Sequence, residues 1–184
     1  MASGPAKVYR AGEVVPCGNG RRAGAGARGA VRLLCPRLFA RLGERALALN
    51  PNYDLVVVQQ GELLTWLGQP DEGIDWIKKA MRLNPYHPER FWGHLGRACY
   101  CAEKYAEAAE AFSRITRPDH THHAFLAATF AQMGNAVAAA AHAAEVLKRE
   151  PTFSVADYLT TQHYKREADR LRHETGLLKA GLPA

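Results

Sequence analysis

Four prolines cut the chain at nearly equal intervals, and this spacing constrains the fold more than any other feature. Pro51, Pro85, Pro118 and Pro151 lie 34, 33 and 33 residues apart. Three of them close strings of similar character: ALALNP ending at Pro51, AMRLNP ending at Pro85 and EVLKREP ending at Pro151. Each string reads as the last turns of an amphipathic helix, stopped by a residue that lacks an amide proton and cannot continue the ladder. Self-similarity at such a period is the signature of stacked supersecondary units.

Between the stops each unit divides again. After Pro51 run DLVVVQQGELLTWLG, the break QPDEG, and IDWIKKAMRLN. After Pro88 run ERFWGHLGRACYCA, EKY and AEAAEAFSRI. After Asp119 run HTHHAFLAATFAQMG, NA and VAAAAHAAEVLKRE. Every unit predicts a helix of about 14 residues, a short break and a second helix of similar length. Gly68 and Gly134 fall at breaks, where a residue that tolerates positive φ ends a helix at little cost. The expected class is therefore all-α, an αα-hairpin solenoid.

The period and these residues resemble the tetratricopeptide repeat. The middle unit carries W-x2-L-G as Trp92, Leu95 and Gly96, followed by Ala108 and Phe112. The first keeps Gly61, Leu64, Ile77, Ala80 and Pro85, with Gly73 where the pattern prefers alanine. The third keeps Leu126, Ala127, Phe130, Ala139 and Pro151. The middle unit departs at its end, where Pro118 arrives early and the linker around Pro88 gains a residue. Trp92, Leu95 and Cys99 fall at i, i+3 and i+7, one stripe of a helix, with Gly96 and Ala108 expected to face each other at a close helix approach. A lone hairpin cannot bury its apolar faces, so stability comes from stacking on neighbours.

The expected organisation is a basic, disordered Gly/Ala/Arg-rich extension over 1–34, an array over 35–151 and C-terminal capping helices over 152–184. The array comprises a half repeat (35–51) and repeats over 52–87, 88–118 and 119–151. The half repeat is the second-helix string PRLFARLGERALALN, with Leu38, Phe39, Leu42, Ala46 and Leu49 available to bury. After it, the stretch near Ser154 to His163 is expected to be helical. YKREADRLRHETGLLKAG, with Leu171, Leu177 and Leu178 among charges, is expected to be a polar cap.

A narrower resemblance lies in LLTWLGQPDEGIDWIKKAMRLNPYHPERFW and the closing LLKAGLPA. Over roughly Glu44 to Ala184 the chain is similar to the C-terminal repeat region of bacterial class III adenylate/guanylate cyclases. That family places a catalytic domain with paired, metal-binding aspartates ahead of the repeats. Nothing in residues 1–35 resembles it, so the likeness implies a regulatory or docking module, and cyclase activity is not expected to transfer.

Composition narrows the function classes. The chain has 184 residues and a formal charge of +6. Residues 1–50 hold nine Lys/Arg against Glu13 and Glu44, which leaves the remaining 134 residues at −1. A uniformly basic nucleic-acid-binding domain is excluded, and only a basic arm remains for such a role. No apolar run approaches the ~20 residues of a membrane helix, and the first residues lack the apolar core of a secretory signal. The expected setting is the cytoplasm.

Candidate chemistry reduces to bland readings. Cys17, Cys35, Cys99 and Cys101 include no C-x2-C pair. On a helix, Cys99 and Cys101 project about 200° apart, as reduced buried thiols would. Gly24-x-Gly26-x-x-Gly29, with Glu44 downstream, matches a dinucleotide fingerprint only formally, because no strand leads into it. In His120-Thr-His122-His123 only the outer pair has helical ligand spacing, so Asp119 is expected to be an N-cap with the histidines in an exposed first turn. Glu103, Glu107 and Glu110 around Lys104 read as a solvated face. No catalytic group, metal or cofactor is expected, and the chain reads as non-enzymatic.

The repeat resemblance implies a right-handed superhelix whose first helices line a concave groove, the family's usual peptide-binding surface. Residues opposite the packed stripe point into it. These are Leu55, Glu62 and Trp66 in the first unit. In the second they are Arg90, Arg97 and Cys101, with Tyr100 at the margin. In the third they are Thr121, Ala128 and Gln132. Trp66 offers an aromatic anchor, and Arg90 with Arg97 a fork suited to a carboxylate. The competing reading is that Glu62 neutralises an arginine and Trp66 covers the next helix. Chaperone-binding members clamp a C-terminal carboxylate with lysine and asparagine. The corresponding places here hold Val58, Glu62, His94, Thr121 and Phe125, so a heat-shock cochaperone is not expected. The expected partner is a protein or peptide segment bound by a scaffold or adaptor. The alternatives are self-association through the leading helix and nucleic-acid binding through the basic arm, each separable by its concentration or salt dependence.

Overall fold

The structure, a computed structural model, describes residues 43 and 45–184. The extension, Cys17, Cys35, the glycine fingerprint and most of the leading helix fall outside the described residues. The last turn of that helix is seen at 45–49, where the Asn50 amide donates to the Ala46 carbonyl at 2.9 Å.

Eight helices follow: α1 (Asp54–Trp66), α2 (Pro70–Leu83), α3 (Arg90–Cys101), α4 (Tyr105–Ser113), α5 (His120–Gln132), α6 (Ala136–Arg149), α7 (Val155–Thr160) and α8 (Glu167–Lys179). The described residues contain no strand. α1–α2, α3–α4 and α5–α6 are antiparallel hairpins. α2 packs on α3 and α4 on α5, while the first helices α1, α3 and α5 touch in succession. The stacked αα-hairpin architecture read from the proline period is what the chain adopts.

Local chemistry explains several boundaries. α2 opens with Pro70 at its first position, followed by Asp71 and Glu72 against the positive end of the helix dipole. It buries Gly73, Ile74, Ile77 and Ala80 on one stripe. It stops at Asn84, whose side chain donates to Asp54 at 2.8 Å, just before Pro85. Asp119 caps α5 by accepting from the His122 amide at 3.0 Å, as expected. Asn135 caps α6 and Ser154 caps α7 in the same manner.

The α1–α2 turn and the α5–α6 turn close on Gly68 and Gly134, at φ 84° and 76°. The α3–α4 turn reaches the same left-handed region with Glu103, at φ 62°. A residue with a Cβ is strained there by about 1 kcal/mol, a feature that spacing alone did not reveal.

The core runs along the hairpins as Val57, Val58, Ile74, Ile77, Phe91, Leu95, Phe112, Phe125 and Val146, with alanines between them. The Gly73 departure from the repeat pattern has a steric cause. A Cβ there would lie 2.7 Å from the Gly61 carbonyl oxygen and 2.5 Å from the Thr65 hydroxyl, so α1 and α2 meet backbone to backbone. At Gly96 the expected neighbour is corrected. The Phe112 ring covers it, 2.7 Å from where a Cβ would sit, in the place assigned to Ala108.

Candidate functional site

The inner face is formed by α1, α3 and α5, and the C-terminal segment lies across it. The lead-in begins at α1, where the Lys165 amide donates to the Trp66 carbonyl at 3.0 Å. Arg166 donates to the Gly68 carbonyl at 2.8 Å. Tyr164 and His163 pack edge-on against the Trp66 indole, with centroids 5.0 and 6.0 Å away. α8 then crosses α3 and packs on α5. Past its end, the Val155 amide donates to the Pro183 carbonyl at 2.8 Å, tying the C-terminal residues to the start of α7.

Several residues that periodicity points inward meet this segment. Tyr100 is buried, and its hydroxyl donates to the Arg172 carbonyl at 3.5 Å. Gln132 donates to the same carbonyl at 3.2 Å. The Cys101 carbonyl accepts from the Arg172 guanidinium at 3.5 Å, and burial pushes the Cys101 thiol up to about 12. Ala128 is fully buried under Gly176, where a Cβ would lie 3.0 Å from the Ala128 Cβ and 3.0 Å from the Tyr100 hydroxyl.

Glu62 and Arg97 pair with each other at 3.1 Å, and His94 Nδ1 lies 3.2 Å from the same carboxylate oxygen. Burial acts to raise the Glu62 pKa, but His94 and Arg97 outweigh it and hold the carboxyl at about 2. Three predicted residues stand apart. Arg90 is exposed at the first position of α3. Leu55 is half-buried against the core. Thr121 borders a hollow of about 290 Å³ between the starts of α5 and α7. Arg90 and Arg97 therefore do not act as a matched fork, since one is free and the other engaged.

Comparison with known proteins bears on this arrangement. No family model matches the chain. The small glutamine-rich tetratricopeptide repeat-containing protein 2 of Mycosarcoma maydis is 29% identical over 75 residues, 41% of this chain and 21% of that protein. The match thus spans about a fifth of that relative's length. The crystal structure of MamA superposes with a TM-score of 0.55 at 19% identity, covering 77% of this chain and 84% of the other. A MamA RS-1 ArsTM double mutant gives 0.58 at 13% identity, with 79% and 85% covered.

The chain has a tetratricopeptide-repeat fold.

Within this repeat array, the residues that sequence reasoning missed lie on α8. Its buried face is Asp169, His173, Gly176 and Leu177, whereas Leu171 and Leu178, which the polar cap was expected to carry among its charges, are half-exposed. His173 is fully buried. Its ring stacks on Phe125 at 4.4 Å and its Nδ1 lies 2.9 Å from the Tyr164 hydroxyl. Burial alone drives its pKa down to about 3, so the imidazole is neutral. Only a histidine and a glycine spaced i, i+3 inside a helix could have signalled this face.

The histidine cluster also differs from expectation. His122 completes the Asp119 cap, but His123 is buried rather than exposed, with its Nδ1 3.0 Å from that of His142. Burial lowers the pKa of both rings. Among the described residues no three His, Cys, Asp or Glu side chains come together as a metal site. Cys99 and Cys101 are free and buried. No helix of the described residues is long and apolar enough to cross a membrane.

Proposed function

We propose that this chain is a non-enzymatic protein–protein interaction module that binds a peptide or protein segment along the inner face of its repeats. The observation that carries the reading is the way this face holds a helix. It offers main-chain carbonyls at Trp66, Gly68 and Cys101, a ring platform in Trp66, Tyr100 and Phe125, and a small-residue seat at Ala128. A surface that accepts a helix through carbonyls, rings and small residues has the equipment of a helix-in-groove receptor. Its uncovered edge, with Arg90, Leu55 and Thr121, extends the surface available to a partner. The similarity to cyclase repeat regions suggests a docking or regulatory role in the cytoplasm, as an adaptor for a signalling enzyme.

The test is photo-crosslinking in cells. A benzophenone amino acid replaces Leu55, Arg90 or Thr121, with Asp75, Glu110 and Ala144 on the second helices as controls. The same partner adduct from the inner positions is the expected result. Adducts confined to the second-helix positions would overturn the reading.

A further inference from the structure

Among the described residues, the face of α8 that meets the array carries fewer large apolar side chains than the packed faces of α1 and α3. α1 buries Val57, Val58 and Leu64, and α3 buries Phe91, Leu95 and Tyr100. The matching face of α8 consists of Asp169, His173, Gly176 and Leu177. Within α8 only Leu177 brings substantial apolar area, and Ala180 and Leu182 bury just past its end, so hydrophobic burial holds this segment less strongly than it holds the hairpins.

Polar contacts dominate instead, and many are internal to the segment. Asp169 is buried and pairs with Arg172 at 3.1 Å and with Arg166 at 3.3 Å. Both arginines belong to the same segment and would leave with it. The array's own side chains add Glu103, 2.8 Å from Arg172, and the Gln132 amide and Tyr100 hydroxyl, both donating to the Arg172 carbonyl. This packing also leaves polar atoms unpaired. Among the described residues, five buried side-chain polar atoms lack a protein partner, and two of them, His173 Nε2 on α8 and the Tyr158 hydroxyl, lie at this contact. The Tyr158 ring stands 5.7 Å from the His173 ring. A buried group without a partner costs about 1–3 kcal/mol, so docking regains part of that cost when it opens.

We propose that the segment from His163 to Ala184 is a resident ligand of the inner face, which departs as one body. The partner that replaces it is an amphipathic helix of the same chemistry. Such a helix carries an arginine followed by a ring on its docking face and a small residue three positions after the ring. An extended lead-in with an aromatic side chain for Trp66 precedes it. This rests on the reading of the inner face as a binding surface and adds what it binds and what first occupies it. The hinge falls at 161–162, directly before this lead-in, where the chain is non-helical and Thr161 is exposed.

The test uses the full chain and a fluorescein-labelled synthetic peptide of residues 161–184. Gly176→Leu places bulk where even a Cβ meets Ala128 and Tyr100 at 3.0 Å, and so lifts α8 from its seat. The peptide is expected to bind the Gly176→Leu chain at least tenfold more tightly than the wild type, whose face is occupied. Equal affinity for the two would overturn the proposal. Should Gly176→Leu lose the helical circular-dichroism signal of the array, Arg172→Glu replaces it. That change sets a negative charge against Asp169 and Glu103 without touching the core, and the same tenfold difference is expected. Inner-face crosslinks that persist while neither variant gains peptide affinity would refute the resident ligand alone. Crosslinks confined to the second helices would refute the binding surface itself.

Discussion

The three hairpins and the C-terminal segment are both helical and both packed, yet they are held by different physics. In α1 to α6 the buried stripes are mostly Val, Ile, Leu, Phe, Tyr and Ala, with Thr65, His94, His123 and Thr129 as the buried polar members, and each hairpin leans on the next. In α8 the buried stripe is an aspartate, a neutral histidine, a glycine and one leucine. Apolar burial is non-directional and adds along the stack, which makes the array one cooperative body. Polar docking depends on a few oriented contacts and leaves unpaired atoms when the fit is imperfect. The difference teaches that helix content alone says little about which parts of a repeat protein move together.

The sharpest contrast is between two core truncations. Phe112 covers Gly96 and stacks on Phe125 at 5.8 Å. Phe112→Ala is expected to cost about 3–5 kcal/mol, lowering the denaturation midpoint of the whole array in a urea titration. Leu177 is equally buried, and its loss would cost about 2–4 kcal/mol by the same rule. In Leu177→Ala that cost should fall on the docking of α8. NMR signals of Gly176 and Leu177 are expected to shift to undocked positions while the midpoint for α3 and α5 moves little. Equal global losses from both substitutions would erase the distinction.

Acid offers a milder lever. His173 is held at about 3 in the docked state, against about 6.5 for an unperturbed imidazole. The undocked state therefore binds more protons at acid pH. The docking stability is fully present above pH 6.5 and declines as pH falls toward 3. At pH 5 the undocked-to-docked ratio is expected to rise about 30-fold, roughly 2 kcal/mol. Gly176 amide intensities across pH 7.5 to 5 measure it, and His173→Phe should flatten the response. His123 and His142 are also held low by burial, but they sit in α5 and α6, so their protonation loads the array.

The smallest effect is expected at Glu103. Replacing this left-handed residue by glycine relieves about 1 kcal/mol of backbone strain. It also removes an ion pair with Arg172 worth about 0–1 kcal/mol. Glu103→Gly should leave overall stability within about 1 kcal/mol of wild type while shifting balance from docked α8 toward the array. The two readouts are the urea midpoint and the Gly176 signals.

The hairpins were legible because apolar periodicity and helix stops are local properties. Pro85 after Asn84, positive-φ glycines at 68 and 134, and the Asp119 cap each follow from a few neighbouring residues. Helical phase also pointed Tyr100, Ala128 and Gln132 toward the inner face. What covers that face was not legible. Asp169, His173 and Gly176 do not look like a packing stripe, and of the three leucines only Leu177 is buried. Burial of His123 escaped notice for a related reason. A histidine beside a cap reads as solvated unless a second ring, here His142, is known to meet it across the hairpin.

The most direct test of the account is native-state hydrogen exchange on the full chain at increasing urea. The prediction is that α8 amides exchange through a local opening with little urea dependence, while α3 and α5 amides exchange only through global unfolding. A single opening free energy and a single urea dependence for α8, α3 and α5 would contradict it.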